Sequence, residues 1–324
     1  MGGRYLARKA AQAAVTIFAI VLLNFVLFRM MPGSPERVLL RNPYLTQAKI
    51  EQVKAAWGLD KPLIPNQLAA YVGATMTGDL GYSLKFRGTP VSDVIGQRFW
   101  PTVLLIGLAE AIAIVVGLTI GAWAGWRRGS RADRIGSGIS LVLYSIPYFV
   151  IGMPMIIIFA SGLGLFPTSG MLTVGATYGS FVDQLVDFAR HLTLPLATVS
   201  LGLIGGYSIL MRSSIIETRS EDYMTTARAK GLTDRRLLTA HAFPNALLPM
   251  VTLIAINLGY VVGGAITAEI VFNWPGLGTL TVDALSARDY PVLEGIFLML
   301  SVTVVLANLI ADLVYGLLDP RVRS

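Results

Sequence analysis

An all-α membrane protein with six transmembrane helices, and with both termini in the cytoplasm, is the fold class this sequence predicts. Three observations lead there. Of 324 residues, 54% are hydrophobic and only 14% charged, whereas a soluble domain carries about 25% charged residues; the mean hydropathy is +0.64. Six apolar stretches each reach the roughly 20 residues that a helix needs to cross a bilayer core of about 30 Å. Finally, Arg and Lys gather in alternate short connections, as they do on cytoplasmic loops.

The first span covers residues 10–31. Arg4, Arg8 and Lys9 precede it as in a signal peptide, but the apolar run is too long and Arg29-Met30-Met31-Pro32 is no small-residue cleavage site. The long connection 32–100 follows, on the outside. Within it TQAKIEQVKAAWGLD (46–60) predicts an amphipathic helix that starts at Thr46 and stops at Gly58, with Ile50, Val53 and Trp57 on one face. GDLGYSL (78–84) reads as a turn, and TPVSDVIGQRF (89–99) as a short interfacial helix before Pro101. The remaining spans cover 101–126, 135–163, 192–212, 246–272 and 292–318.

Orientation follows from the short loops. RRGSRADR (127–134) sets four Arg against Asp133 alone, and the loop after the fourth span holds Arg219, Arg228, Lys230, Arg235 and Arg236. The tail ends with Arg321 and Arg323. These segments and the N-terminus are cytoplasmic. The net charge of +7 is then explained by loops facing anionic membrane lipid, with no need for nucleic acid.

Composition excludes much chemistry. Cysteine is absent, so there is no disulfide framework and no thiolate metal site, and His191 and His241 are the only imidazoles. GxxxxGK[ST], HExxH and GxSxG are all absent, so any ATP that drives this chain is bound by another. Inside the spans, Gly117, Gly121 and Gly125 recur at every fourth position, as do Gly259 and Gly263. That spacing lets helix backbones approach closely, in a subunit seam or within the bundle itself. Pro147 and Pro154 free main-chain carbonyls of the third span; with Tyr148 they either line a pathway or mark packed kinks. Glu110 is a deep acid without an obvious basic partner, which argues for a hydrogen-bonded structural group over a proton relay. Asn257 is a candidate pathway residue, and Asn308 and Asp312 share a face near the cytoplasmic end of the last span.

The strongest signal is EDYMTTARAKGLTDRRLLTAHAFPNALLP (221–249). Glu221, Asp222 and Tyr223 open it; Thr225, Thr226, Ala227 and Arg228 follow in a helix-competent run that breaks at Gly231 before Leu232. A second short helix starts at Thr233-Asp234, carries Arg235 and Arg236, and is expected to end at Pro244. A solvated basic loop needs neither small side chains nor a glycine corner. A rigid knob that fits a cleft in a partner needs both.

This segment resembles the EAA loop of ABC importer permeases. Thr225-Thr226-Ala227 stands at the EAA positions, Gly231 at the glycine, and His241-Ala242-Phe243-Pro244 at the close, with Thr225 replacing the Glu. MPGSP (31–35), GLDKP (58–62), GDLGYSL, LFPTSG (165–170), DYMTTARAKGL with NALLP, EIVFNWPGLG (269–278), ARDYP (287–291) and LLDPRVR (317–323) occur in order along the chain. As a set they resemble the first permease subunit of the dipeptide, oligopeptide and nickel group. The resemblance implies a type I importer permease fold that is not itself an enzyme. It divides the chain into an N-terminal helix and external loop (1–96), a permease core (97–318) holding the coupling loop (213–245), and a cytoplasmic tail (319–324). It implies as partners a second homologous permease subunit, two cytoplasmic ATPases that use ATP and Mg, and an extracytoplasmic solute-binding protein, in a bacterial or archaeal cell membrane. It further implies that the chain binds no cofactor of its own and that its solute is a peptide or a similar small molecule. An ion-gradient carrier would need paired intramembrane charges and inverted repeats, and an intramembrane enzyme a catalytic pair at depth; the sequence has neither.

Overall fold

The computed structural model describes residues 3–30, 46–48, 51, 63–86, 88–260 and 266–318. The amphipathic helix expected at 46–60 and the MPGSP, GLDKP and LLDPRVR motifs fall wholly or mainly outside them. Among the described residues the chain is helical, with one isolated bridge between Tyr82 and Pro90. Five helices are long and apolar enough to cross a membrane, and a bent pair raises the number to six.

Helix α1 (Gly3–Met30) buries only a stripe, Val21, Asn24, Phe25 and Phe28, while Val15, Phe18 and Leu23 stay exposed. That is how a helix at the rim of a membrane bundle packs, because lipid tails satisfy the open face as well as protein does. Its partners are α2 (Leu68–Thr77), where Phe25 meets Tyr71, and the last helix, α11 (Tyr290–Leu318), where Phe28 meets Phe297.

Helix α3 (Val91–Trp126) corrects the expectation of a separate interfacial helix at 89–99: it runs unbroken through Pro101 for 36 residues. Pro101 removes one ladder hydrogen bond. Packing compensates, since Val91, Val94 and Ile95 are buried in one cluster with Leu277, Leu280, Val292, Leu293 and Ile296. The Trp274 indole also donates to the Pro101 carbonyl at 2.9 Å. The boundary drawn between residues 96 and 97 falls inside this continuous helix.

Proline does break the third span. Helix α4 (Arg131–Ser145) and α5 (Tyr148–Met155), which continues through a widened turn at Ile156–Gly162, meet at 99°. Pro147 precedes α5 with extended backbone (φ −60°, ψ 146°), where its missing N–H costs nothing. Pro154 makes no break. The loop beyond carries LFPTSG and leads into α6 (Phe181–Arg219), 39 residues long and capped by Ser180, whose hydroxyl accepts from the Asp183 N–H.

The glycine repeat of α3 is an internal seam with α6. A Cβ on Gly117 would lie 2.6 Å from the Tyr207 Cβ, on Gly121 2.4 Å from the Ser208 carbonyl oxygen, and on Gly125 2.7 Å from that of Arg212. Of the two readings of this repeat, packing within the bundle is the observed one. Gly263, in the other repeat, lies outside the described residues. A second seam joins α4 to α6, where a Cβ on Gly205 would sit 2.5 Å from the Ser140 carbonyl oxygen. Arg212 fastens it, with Nε 2.6 Å from Asp133 Oδ1 and Nη2 3.0 Å from Oδ2.

After α6 comes α7 (Asp222–Ala229). A helix then starts at Asp234–Arg236, widens over Leu237–Ala242 and continues as α8 (Phe243–Tyr260). Pro244 therefore does not end a helix, contrary to expectation. The widened turn just ahead lifts its ring off the carbonyl it would strike in a regular ladder. Helices α9 (Ile266–Val271) and α10 (Leu277–Ala287) precede α11.

Candidate coupling helix and pathway cavity

The knob expected between residues 221 and 244 is built from α7 and its corner. Glu221 takes the extended N-cap position. Met224 and Ala227, three residues apart, turn inward and are buried. Glu221, Asp222, Tyr223, Thr225, Thr226 and Arg228 are exposed on the other faces. Burial, and then the Glu221 carboxylate, raise the Tyr223 phenol above its usual pKa, so it is a neutral hydroxyl at neutral pH. Thr225 lies three and four residues beyond Asp222 and Glu221, so these carboxylates share its face of the helix. Ala227 is the one residue of the predicted docking set that points into the protein; Leu232 is half-buried.

Gly231 is the corner. Its φ of +79° lies where an L-residue is strained, and nothing comes within 4 Å of where its Cβ would be. The turn closes with its N–H donating to the Arg228 carbonyl at 2.9 Å. Thr233 stands at the next N-cap, but its side chain makes no capping bond. Arg235, Arg236 and Pro244 are exposed, while Leu237 and Ala242 are buried.

The underside of the knob is continuous with the transmembrane core. Met224, Ala227, Leu237 and Ala242 belong to one buried cluster with Tyr207, Met211 and Ile215 of α6, Leu118 and Ala122 of α3, and Met250 of α8. Interiors this closely packed transmit displacement instead of absorbing it.

The upper end of that cluster borders a cavity of about 430 Å³ at the 99° break. Pro147, Tyr148 and Asn257, the three candidate pathway residues, all line it, with Tyr144, Gly202 and Tyr207. Gly202 makes room: a Cβ there would lie 2.5 Å from the Tyr148 ring. Asn257 donates to the Tyr207 hydroxyl at 3.0 Å, and that hydroxyl donates to Glu110. Glu110 and Tyr207 are 2% and 1% exposed, so Glu110 is the hydrogen-bonded structural group the sequence suggested. Tyr207 was missed; a lone Tyr in an apolar helix gives no sign of whom it will meet.

Four more motifs resolve into supports for the opposite end of the bundle. Glu269 of EIVFNWPGLG is fully buried, accepting from Thr102 Oγ1 (2.7 Å) and from the N–H groups of Gly278 (2.7 Å) and Thr279 (3.2 Å) at the start of α10. A Cβ on Gly276 would lie 2.4 Å from that carboxylate, which accounts for the glycine. Asp289 of ARDYP, also fully buried, accepts from Ser83 Oγ (2.5 Å) and from the N–H groups of Leu84 (3.1 Å) and Lys85 (2.9 Å). It thereby joins ARDYP to GDLGYSL. LFPTSG is tied to α6 by His191, whose Nδ1 is 3.1 Å from the Ser169 carbonyl oxygen, and by Arg190, which donates to the Leu165 carbonyl at 3.1 Å.

Comparison with known proteins identifies the family and the fold. Residues 117–324 match the family described as the binding-protein-dependent transport system inner membrane component, and residues 3–105 match its N-terminal family. The chain is 36% identical over 340 residues to the dipeptide transport system permease protein DppB of Escherichia coli, covering 99% of this chain and 98% of that one. It is 34% identical over 319 residues to the oligopeptide transport system permease protein AppB of Bacillus subtilis, covering 98% and 99%. Among solved structures, a chain of the inward-facing MetNI methionine ABC transporter matches with a TM-score of 0.56 at 18% identity, over 70% of this chain and 96% of that one. It shares the type I importer fold. The chain belongs to the family of membrane components of binding-protein-dependent transport systems: it is a multi-pass permease subunit of an ABC importer, and hydrolysis of ATP is the work of a separate chain.

Proposed function

We propose that this chain forms, with a second homologous permease subunit, the path by which peptides or similar small solutes enter the cell. Two cytoplasmic ATPases, using ATP and Mg, drive it, an extracytoplasmic binding protein delivers the solute, and the membrane is the inner membrane of a bacterium or archaeon. The peptide assignment is supported by the names of its relatives, dipeptide and oligopeptide transport system permeases. Glu221, Asp222, Tyr223, Thr225, Thr226, Arg228, Leu232, Arg235, Arg236 and Pro244 form the face that docks on an ATPase. Ala227 anchors that face from beneath, and Gly231 sets its angle. Pro147, Tyr148 and Asn257 line the path.

One observation carries the reading. The buried cluster under α7 contains Tyr207, and Tyr207 also lines the cavity at the break. A displacement of α7 by a closing ATPase is therefore handed to the cavity wall through direct contact. ATP binding biases the permease only if these contacts differ between its two states.

Crosslinkers placed at Thr226 or Arg228 in the assembled transporter are expected to capture an ATPase chain; capture of lipid or of the same subunit alone defeats the docking assignment. Cysteines at Tyr148 and Asn257 should react with soluble reagents, with accessibility that changes when ATP is bound. Labelling of a residue-4 cysteine by an impermeant reagent from outside would overturn the orientation. Uptake assays with the reconstituted complex and its binding protein, offered di- and oligopeptides, decide the solute.

A further inference from the structure

We infer that the joint between α3, α6 and α7 holds a binding site for the phosphate of an anionic lipid headgroup. A cavity of about 320 Å³ there is lined by Arg128, Ile216, Arg219, Ser220 and Arg228. Three arginines line it from three elements: the turn after α3, the end of α6, and α7. Among the described residues no carboxylate pairs with any of them; the ion pair of Arg212 with Asp133 lies elsewhere on α6. Like charges gathered around a space repel unless an anion fills it.

Arg219 is built in. Its Nη1 donates to the carbonyls of Gly125 (3.3 Å) and Trp126 (2.5 Å), and its guanidinium stacks 4.9 Å from the Trp126 ring centroid. That fixes the plane of the group and leaves Nε and Nη2 for a ligand, the fork geometry that suits phosphate oxygens. The Arg128 and Arg228 side chains are exposed and make no hydrogen bond among the described residues, so they can close over the anion while α7 is not seated on an ATPase. The depth favours lipid. Trp123 and Trp126 end α3, with Arg127 5.2 Å from the Trp123 ring, and tryptophan with arginine marks the interfacial layer where phosphates lie. Because Arg228 is on α7, a bound headgroup would tie the angle of the coupling helix to the charge of the bilayer. The inference rests on the proposed function only in taking this end as cytoplasmic and α7 as the coupling element.

The test is retention of lipid by the purified full chain in detergent, read by native mass spectrometry, which depends on neither assumption. Phosphatidylglycerol should be retained over phosphatidylcholine, and retention should fall with added salt. A surface arginine contributes about fivefold in affinity, so Arg128→Ala with Arg228→Ala should weaken binding about 25-fold. Arg127→Ala, outside the cavity, should leave it unchanged. Equal retention of the two lipids, or undiminished binding by the double variant, overturns the site. Free glycerol phosphate that binds as tightly as the lipid assigns the site to a soluble phosphate instead. A crosslink from Arg128→Cys to an ATPase chain in the assembled transporter gives the cavity to an acidic protein side chain, and the lipid assignment falls.

Discussion

Replacing Gly231 separates backbone geometry from packing, because its surroundings are empty. An alanine Cβ meets nothing within 4 Å, so the cost of Gly231→Ala is the φ of +79° alone, about 1–2 kcal/mol for an L-residue in the left-handed region. Opposing release of α7 is the burial of Met224, which contributes about 1.5–3 kcal/mol, together with Ala227 and the closing hydrogen bond. The anchor is the larger quantity. Gly231→Ala should therefore keep α7 seated while weakening ATPase binding by at most about 5- to 30-fold, the equivalent of 1–2 kcal/mol. Gly231→Asn should do better, since Asn tolerates this conformation. Gly231→Pro cannot reach a positive φ and also deletes the N–H that bonds to Arg228; it should abolish assembly or uncouple ATP hydrolysis from uptake. The measurements are ATPase affinity for the detergent-solubilised permease pair and transport-coupled hydrolysis in liposomes. The expected order is Gly, Asn, Ala, then Pro far below. If all four behave alike, the corner does not set the docking face and the reasoning fails.

Gly121→Ala forces a Cβ to 2.4 Å from the Ser208 carbonyl oxygen. It should destabilise the protein by about 1–3 kcal/mol, whereas Gly138→Ala, with open space around it, should not; thermal unfolding in detergent compares them, and equal melting temperatures would refute the seam. Tyr207→Phe removes the hydroxyl that Asn257 and Glu110 both contact. It should cost about 1–3 kcal/mol and slow uptake, and unchanged stability would mean the network is not formed. Asp289→Asn weakens three bonds to Ser83, Leu84 and Lys85. It should loosen the 78–86 segment, seen as faster proteolysis there with α7 unaffected.

What the sequence made legible was what is local. Five of the six spans appear as continuous apolar runs, and the corner at Gly231 follows from a helix-competent run that stops at a glycine. Prolines were the difficulty. Pro101, Pro154, Pro195 and Pro244 sit inside helices or continue them, while Pro147 stands at a 99° bend. The difference is whether neighbouring elements hold the helix through the lost hydrogen bond, and that is a tertiary fact. Long-range polar contacts were illegible for the same reason. Asp289 and Ser83 are 206 residues apart, Glu110 and Tyr207 97, and periodicity reports only on neighbours one or two turns away. Ala227 was assigned to the docking face because small residues suit a cleft; they suit a buried underside equally well.

The α3–α6 seam limits how this molecule can move. At Gly117, Gly121 and Gly125 the α3 backbone lies against α6 backbone atoms and the Cβ carbons of Tyr207, Met211 and Ile215. Long side chains can change rotamer to let one helix glide along another; backbone atoms and Cβ carbons, fixed to the helix, have no such freedom. The two longest helices therefore form one keel, and on the proposed coupling role a stroke delivered at α7 is not lost as slippage between them. If the path opens and shuts as proposed, the compliance must come from elsewhere, and the 99° break at Pro147, where the cavity lies, interrupts the bundle at a place that could supply it.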